Sequence, residues 1–310
     1  MTALDSLAPD GHGFYDPQAA ALPAAFRWPD GRRVAFAIVL CAEHYELDPG
    51  ERAYAPVNVP GMFGRGPYPD IASFSRREFG NRVGFFRVAD LLQRYELPAS
   101  AAVDAGVARR CPAVLQEARD RQWGLIGHGR SVNDVISSHM TEDEERGYIA
   151  HSLDALRAAA GGTAAIGGWH GPEYAESTRT PRLLAQAGLR YLLDWPHGEQ
   201  PLFMRTPAGP ILSLPMCADF DDVHAMWHRR LAPQRWAQAV AEAVATLAGE
   251  DQDQGARLYV LNLHAWLVGQ PFRAHALDGL FAQLRARDDL WFATTDQIAD
   301  WCWARLAPAG

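Results

Sequence analysis

Acids, histidines and tryptophans recur in this chain just after short apolar runs, a joint recurrence of proton-transferring and aromatic side chains that chance does not readily give. Cys41-Ala42-Glu43-His44-Tyr45-Glu46 follows the run 33–41, and Gly127-His128-Gly129-Arg130-Ser131-Val132-Asn133 follows 122–126. Gly168-Trp169-His170-Gly171-Pro172-Glu173-Tyr174, Asp194-Trp195, Met216-Cys217-Ala218-Asp219-Phe220-Asp221-Asp222 and His264-Ala265-Trp266 repeat the pattern. A carboxylate or imidazole at such a place can serve as a general acid or base. Glu43, beside an apolar strand end, is expected to be partly desolvated, which raises a carboxyl pKa toward that of a useful base. Small neighbours on both sides of His128 let a substrate approach the imidazole. All 29 basic residues are arginine. Without lysine, Schiff-base chemistry, covalent pyridoxal phosphate, a phosphate-loop lysine and a carboxylated-lysine metal bridge are excluded.

The elements that must position these residues follow from periodicity. The run 33–41 (RVAFAIVLC) is almost wholly apolar, as expected of a strand buried on both faces. Further strands are expected at 99–103, 122–126, 163–168, 190–193, 210–215, 258–263 and 290–293. Helices are expected over 82–95, 109–120, 141–159, 178–187, 233–248, 274–287 and 295–305. Thr141 with Glu144 makes a capping box at the start of the third. Residues 46–78, rich in Pro, Gly and Tyr, read as a long loop. About eight strands alternating with helices indicate a parallel α/β barrel or a doubly wound sheet. No Gly-rich fingerprint follows the first strand, so a dinucleotide fold is disfavoured and one barrel-like domain is expected over 31–306, preceded by an arm over 1–30. In such a barrel the reactive groups sit at the C-terminal ends of the strands, where the residues above fall.

The 310 residues, 48% hydrophobic and 21% charged, can bury a sizeable core. A net charge of −8 argues against nucleic acid or an anionic membrane as partner. The first thirty residues lack the basic start and apolar run of a signal peptide, and no run approaches the length of a membrane helix, so a cytoplasmic protein is expected. Cys41, Cys111, Cys217 and Cys302 are widely spaced, with no CxxC and no disulfide framework, and read as buried thiols.

The motifs RVAFAIVLCAE, FGNRVGFFRVADLLQRYELPASAAV, WGLIGHG, STRTPRLLAQAGLRYLLDW and LYVLNLHAWLVGQPFR, in this order, make the chain resemble the NodB-homology polysaccharide deacetylases, carbohydrate esterase family 4. The resemblance runs from about Trp28 to Trp303. It is strongest to the branch that holds PuuE-type allantoinase and peptidoglycan-deacetylase-like proteins. It implies a distorted (β/α) barrel of about seven parallel strands. It also implies a hydrolase of non-peptide C–N bonds, with catalytic residues Glu43, His128 and His264, the last resembling the general acid. Metal-dependent members carry two Asp after the first strand and HxxxH after the third. Here Glu43 follows Cys41-Ala42, and Val132 stands four residues after His128, where an apolar side chain cannot ligate zinc. Asn133, His44 and His139 could substitute only with a shifted geometry. The expectation is therefore a metal-independent enzyme without cofactor, with a zinc enzyme as the alternative.

Substrate contacts are expected from Arg82, within Gly80-Asn81-Arg82-Val83-Gly84, on a carboxylate or ureido oxygen, and from Trp169 as an aromatic wall. Asn133, Asp194 and Asp222 complete the expected substrate-binding set, the two acids serving either as partners of substrate donors or as rim charges. The leading function is hydrolysis of a small amide, ureide or cyclic amide, allantoin-like. The alternatives are a metal-dependent N-deacetylase of an amino sugar and an inactive small-molecule binding protein. The resemblance suggests a homo-oligomer, with the aromatic residues of 11–30 at an interface. The 46–78 loop is expected to fold over the site as a lid or to cross to a neighbouring subunit.

Overall fold

A computed structural model describes residues 12–16, 22–23, 25–49, 53–54, 69–162, 165–250 and 255–307. Strand β1 (Val34–Ala42) is buried along its whole length, as its unbroken apolar sequence requires. Helix α1 (Ile71–Phe79) follows, capped by the Asp70 carboxylate, which accepts from the Ser73 amide at 3.0 Å. A single π-helical turn, Gly80–Gly84, joins it to α2 (Phe85–Arg94). Then come β2 (Ser100–Val103), α3 (Ala105–Arg110), α4 (Pro112–Asp120), β3 (Gly124–Gly127) and α5 (Glu142–Ala159). The Thr141–Glu144 capping box forms in both directions at the start of α5. The chain continues through β4 (Ile166–Trp169), α6 (Thr180–Gln186), β5 (Tyr191–Leu192), β6 (Leu202–Met204), β7 (Ile211–Ser213) and α7 (Pro233–Gly249). It ends with β8 (Arg257–His264), α8 (Ala265–Val268), α9 (Pro271–Arg285), β9 (Leu290–Phe292) and α10 (Thr295–Leu306).

The sheet runs β6-β7-β5-β4-β3-β2-β1-β8, all parallel except the β6–β7 hairpin. β9 pairs with the first half of the β1 edge, and β2 pairs with its second half. No pairing among the described residues joins β8 to β6 or β7, so the sheet curls into an open barrel. This is the deacetylase-like (β/α) barrel expected from the sequence. One side-chain layer fills the curl, with Ala37, Val39, Cys41, Ile126, Tyr191 and Leu212 among its members. A second lies between the sheet and the helices, with Phe36, Ile38, Leu40, Phe85 and Leu115.

Two of the expected elements differ in the structure. Residues 71–79 are helical rather than loop; α1 buries no residue, so it carries no apolar periodicity to read. The expected helix over 109–120 is two helices broken at Cys111, because Pro112 cannot continue the first. The described aromatics of the arm face this chain itself: Phe14, Phe26 and Trp28 are buried, and the Trp28 indole donates to the Arg257 carbonyl at 2.7 Å. Most of the expected lid, including 55–68, lies outside the described residues. Among the described residues no helix is long and apolar enough to cross a membrane.

Candidate active site

Parallel pairing brings the C-terminal ends of β1, β2, β3, β4, β5 and β8 to one rim, and the polar residues of that rim are buried. Glu43 leaves β1 and His264 ends β8 in register with Cys41. His128 follows β3, where its amide donates to the Val103 carbonyl of β2 at 3.2 Å. His170 follows β4 and Asp194 follows β5. The structure thus brings Glu43, His128 and His264 together. Glu43 Oε1 is 3.6 Å from His128 Nε2 and 3.6 Å from His264 Nε2. Both distances are slightly longer than a hydrogen bond, and the one to protonated His264 is a charge contact.

What faces Nδ1 fixes the ring orientation of each histidine and leaves Nε2 toward the site. His264 Nδ1–H donates to Asp222 Oδ1 at 2.6 Å, and the His264 amide donates to Asp222 Oδ2 at 2.8 Å. His170 Nδ1–H donates to Asp194 Oδ1 at 2.7 Å. His128 Nδ1–H donates to the His170 carbonyl at 2.5 Å, which leaves Nε2 buried without a partner. Burial lowers the His264 pKa, but the charges of Asp222 and Glu43 outweigh it and push the imidazole up to about 10. Burial lowers that of His170, which is neutral. The expectation for Glu43 is reversed. Burial does raise its pKa, but His264, Arg77 and His128 together hold the carboxyl well below the usual range.

Arg77 of α1, which the sequence reading missed, donates its Nε–H to Glu43 Oε2 at 3.1 Å. Its guanidinium lies over the Trp266 ring at 4.2 Å from the centroid. Asn81 Nδ2 donates to the Glu43 carbonyl at 2.7 Å, fixing the backbone that carries the carboxylate. The motif 80–84 therefore serves the site through Asn81, not Arg82. Arg82 is exposed and lines an outer groove with Asp90 and Asp278. Gly80 and Gly84 let α8 approach: a Cβ on Gly84 would stand 2.1 Å from the Ala265 carbonyl oxygen.

Four other expected contacts are reassigned. Trp169 is fully buried against Tyr148 and cannot wall a substrate. Asp194 and Asp222 spend their oxygens on His170, Gly171 and His264, so they orient histidines rather than meet substrate. Asn133 accepts from the Glu46 amide and donates to its carbonyl, tying down the chain after β1. The glycines beside His128 also serve packing. A Cβ on Gly127 would meet the Trp169 ring at 2.9 Å, and Gly129 has φ +70.

A cavity of about 20 Å³, room for one water, opens at the cluster. Its described lining includes Glu43, Arg77, His170, Glu173, Tyr174 and His264. Glu173 and Tyr174 have φ of 58° and 57°. Two consecutive non-glycine residues in the left-handed region cost about 1–3 kcal/mol each and are held only where neighbours dictate them. Tyr174 is held by its hydroxyl, which donates to Asp221 Oδ2 at 2.8 Å.

The zinc-ligand pair of the metal-dependent deacetylases is incomplete, since the buried Val132 occupies the second position. A different trio gathers instead. Cys41, His128 and His170 each offer a ligand atom within 4.8 Å of the others. One thiol and two imidazoles form a donor set that zinc accepts. The orphaned Nε2 of His128 and the carboxylate behind His170 match what ligating imidazoles present. Burial and the charge of Glu43 raise the Cys41 pKa well above its ordinary value, so that thiol is neutral unless an ion displaces its proton. The residues present therefore fit such an ion.

No family model matches the chain. A curated Schizosaccharomyces pombe protein named "Putative polysaccharide deacetylase" is 23% identical over 305 residues, covering 91% of this chain and 93% of that protein. The crystal structure of PuuE allantoinase superposes with a TM-score of 0.80 at 21% identity, over 96% of this chain and all of that one. That of a "probable Polysaccharide deacetylase" from Pseudomonas aeruginosa PAO1 gives 0.77 at 23% identity, over 90% and 94%. The chain has the fold that polysaccharide deacetylases and PuuE allantoinase share, and its similarity in sequence and in structure is to these proteins.

Proposed function

We propose that the protein hydrolyses a non-peptide C–N bond in a small amide, ureide or cyclic amide, with an allantoin-like ring as the leading example. The observation that carries this reading is the Glu43 carboxylate set 3.6 Å from both His128 and His264 at the strand ends, beside a cavity that admits one water. His264, held protonated by Asp222 and Glu43, supplies a proton from Nε2 to the leaving nitrogen, because Nδ1 is committed to Asp222. Arg77 spends only Nε on Glu43, so its remaining N–H groups can meet the oxyanion that forms as water adds to the carbonyl. Glu43 keeps His264 charged and fixes Arg77. Its depressed pKa makes it a weak base, and His128 is absent from the described lining of the cavity. Cys41, His128 and His170 would hold a zinc-like ion; of the three only His170 is in the described lining of the cavity, so turnover is expected without that ion.

A second reading, N-deacetylation of an amino sugar, is favoured by the names of the S. pombe and P. aeruginosa relatives. The test is to offer allantoin and N-acetylglucosamine oligomers to the purified protein, with and without chelator. Ureide turnover that survives chelation is expected. Release of acetate that is lost with chelator and restored by zinc selects the second reading. Tight binding without turnover of any substrate makes the protein a binding module.

A further inference from the structure

We propose that Glu173 is a further catalytic residue of this site, the carboxylate that receives a proton from the attacking water. The proposal rests on the hydrolase reading above. Glu173 lines the small cavity with Glu43, Arg77 and His264. Its neighbours are tied down on both sides. The Gly171 amide donates to both oxygens of Asp194 at 2.9 Å. The Tyr174 ring packs on His170, and its hydroxyl reaches Asp221. Between these anchors Glu173 is held at φ 58°, ψ 25°, a conformation that a surface glutamate has no reason to keep.

The other acids of the cluster are engaged. Glu43 pairs with Arg77, Asp194 with His170, Asp221 with His224 and Tyr174, and Asp222 with His264. Glu173 has no hydrogen bond or close ion pair with any described residue. A carboxylate left without a partner beside the space for one water is placed to hold that water. Burial and the neighbouring Glu43 charge raise its pKa, which makes it a stronger base than Glu43.

The step balances without a further reagent. One O–H bond of water breaks, its proton passes to Glu173, and its electron pair forms the bond from oxygen to the carbonyl carbon. The C=O π pair moves onto oxygen beside Arg77. When C=O re-forms, the C–N bond breaks, and the nitrogen keeps the pair and takes the proton of His264 Nε2. The proton on Glu173 then returns to His264 through solvent.

Two measurements on the full-length protein test this. The first is a high-resolution crystal structure of the wild type, with an ordered water hydrogen-bonded to the Glu173 carboxylate in the cavity as the expected result. A carboxylate bonded to another side chain, or no water on it, overturns the proposal whatever the substrate proves to be. The second is kinetic, on whichever of allantoin or N-acetylglucosamine oligomer the wild type turns over. Glu173→Gln, which keeps shape and hydrogen bonding, should lower kcat by about 10²–10⁴ with KM within about threefold. Unchanged kcat, or a rise in KM alone, overturns it. Loss of activity in His264→Asn with full activity in Glu173→Gln leaves the hydrolase reading standing and removes Glu173. If the wild type binds the probes and turns over neither, the hydrolase reading and with it the catalytic role of Glu173 fall together, whereas a missing water with turnover intact removes Glu173 alone.

Discussion

Two imidazoles at the strand ends are each backed by a buried carboxylate, yet they carry opposite charge states. His264 meets Asp222 and also faces ionised Glu43, and is held protonated; His170 meets Asp194 deep in the protein, and is neutral. The difference makes Asp222 a sensitive probe. Asp222→Asn removes the strongest cause of the raised His264 pKa, so the imidazole should lose its proton nearer to pH 6.5. The alkaline limb of kcat/KM should then move down by more than one pH unit, which a pH–rate profile reads directly. His264→Ala should lower kcat by about 10²–10⁴ while circular dichroism shows the fold intact. Glu43, His128 and His264 were legible in the sequence because each follows a long or well-bounded apolar run. Asp194 and Asp222 were legible as members of the site but not in their role, since a carboxylate behind an imidazole and one facing a substrate have the same sequence signature. Arg77 left no signal, because its helix α1 buries no residue and so shows no apolar face from which to place it.

The segment Ile71–Arg94 acts as one positioning device. α1 delivers Arg77, the π turn points Asn81 at the Glu43 carbonyl, and α2 buries Phe85, Val88 and Leu92 against the barrel. The turn works because Gly84 and Gly269 bring backbones together without side chains; a Cβ on Gly269 would lie 2.3 Å from the Gly84 Cα. Gly84→Ala should therefore force α8 and the π turn apart at a cost of about 1–3 kcal/mol. It should also lower kcat, since His264 directly precedes α8; thermal unfolding and turnover measured on the same sample check both. The longer elements and their order could be read from periodicity, and the Thr141 capping box from two residues. The β6–β7 hairpin escaped because β6 has three residues at a sheet edge, too few for an alternating pattern. The π turn escaped because its sequence is that of an ordinary helix broken by glycines.

For the molecule as a whole, the buried charge cluster links stability to pH. The folded-state pKa of His264, about 10, lies above its unfolded value of 6.5. Its contribution is therefore complete below pH 6.5 and is lost as pH rises through 10. Between these limits wild-type unfolding free energy should fall by up to about 1.4 kcal/mol per pH unit, and His264→Asn should flatten that slope in denaturant titrations. The same cluster bears on metal. If zinc binds through Cys41, cobalt substitution should give a thiolate charge-transfer absorption that Cys41→Ser abolishes, whether or not the protein is active. The barrel itself does not define the reaction, because one fold hosts many chemistries. The account stands on the acid–base set at its rim. The most direct test is turnover of allantoin and of N-acetylglucosamine oligomers by the wild type and by His264→Asn, followed as the new carboxylate of the opened ring and as released acetate. The account predicts that the wild type cleaves the C–N bond of at least one of them and that His264→Asn loses about 10²–10⁴ of that rate. Equal rates in the two proteins, or ligand binding with no cleavage by the wild type, would contradict it.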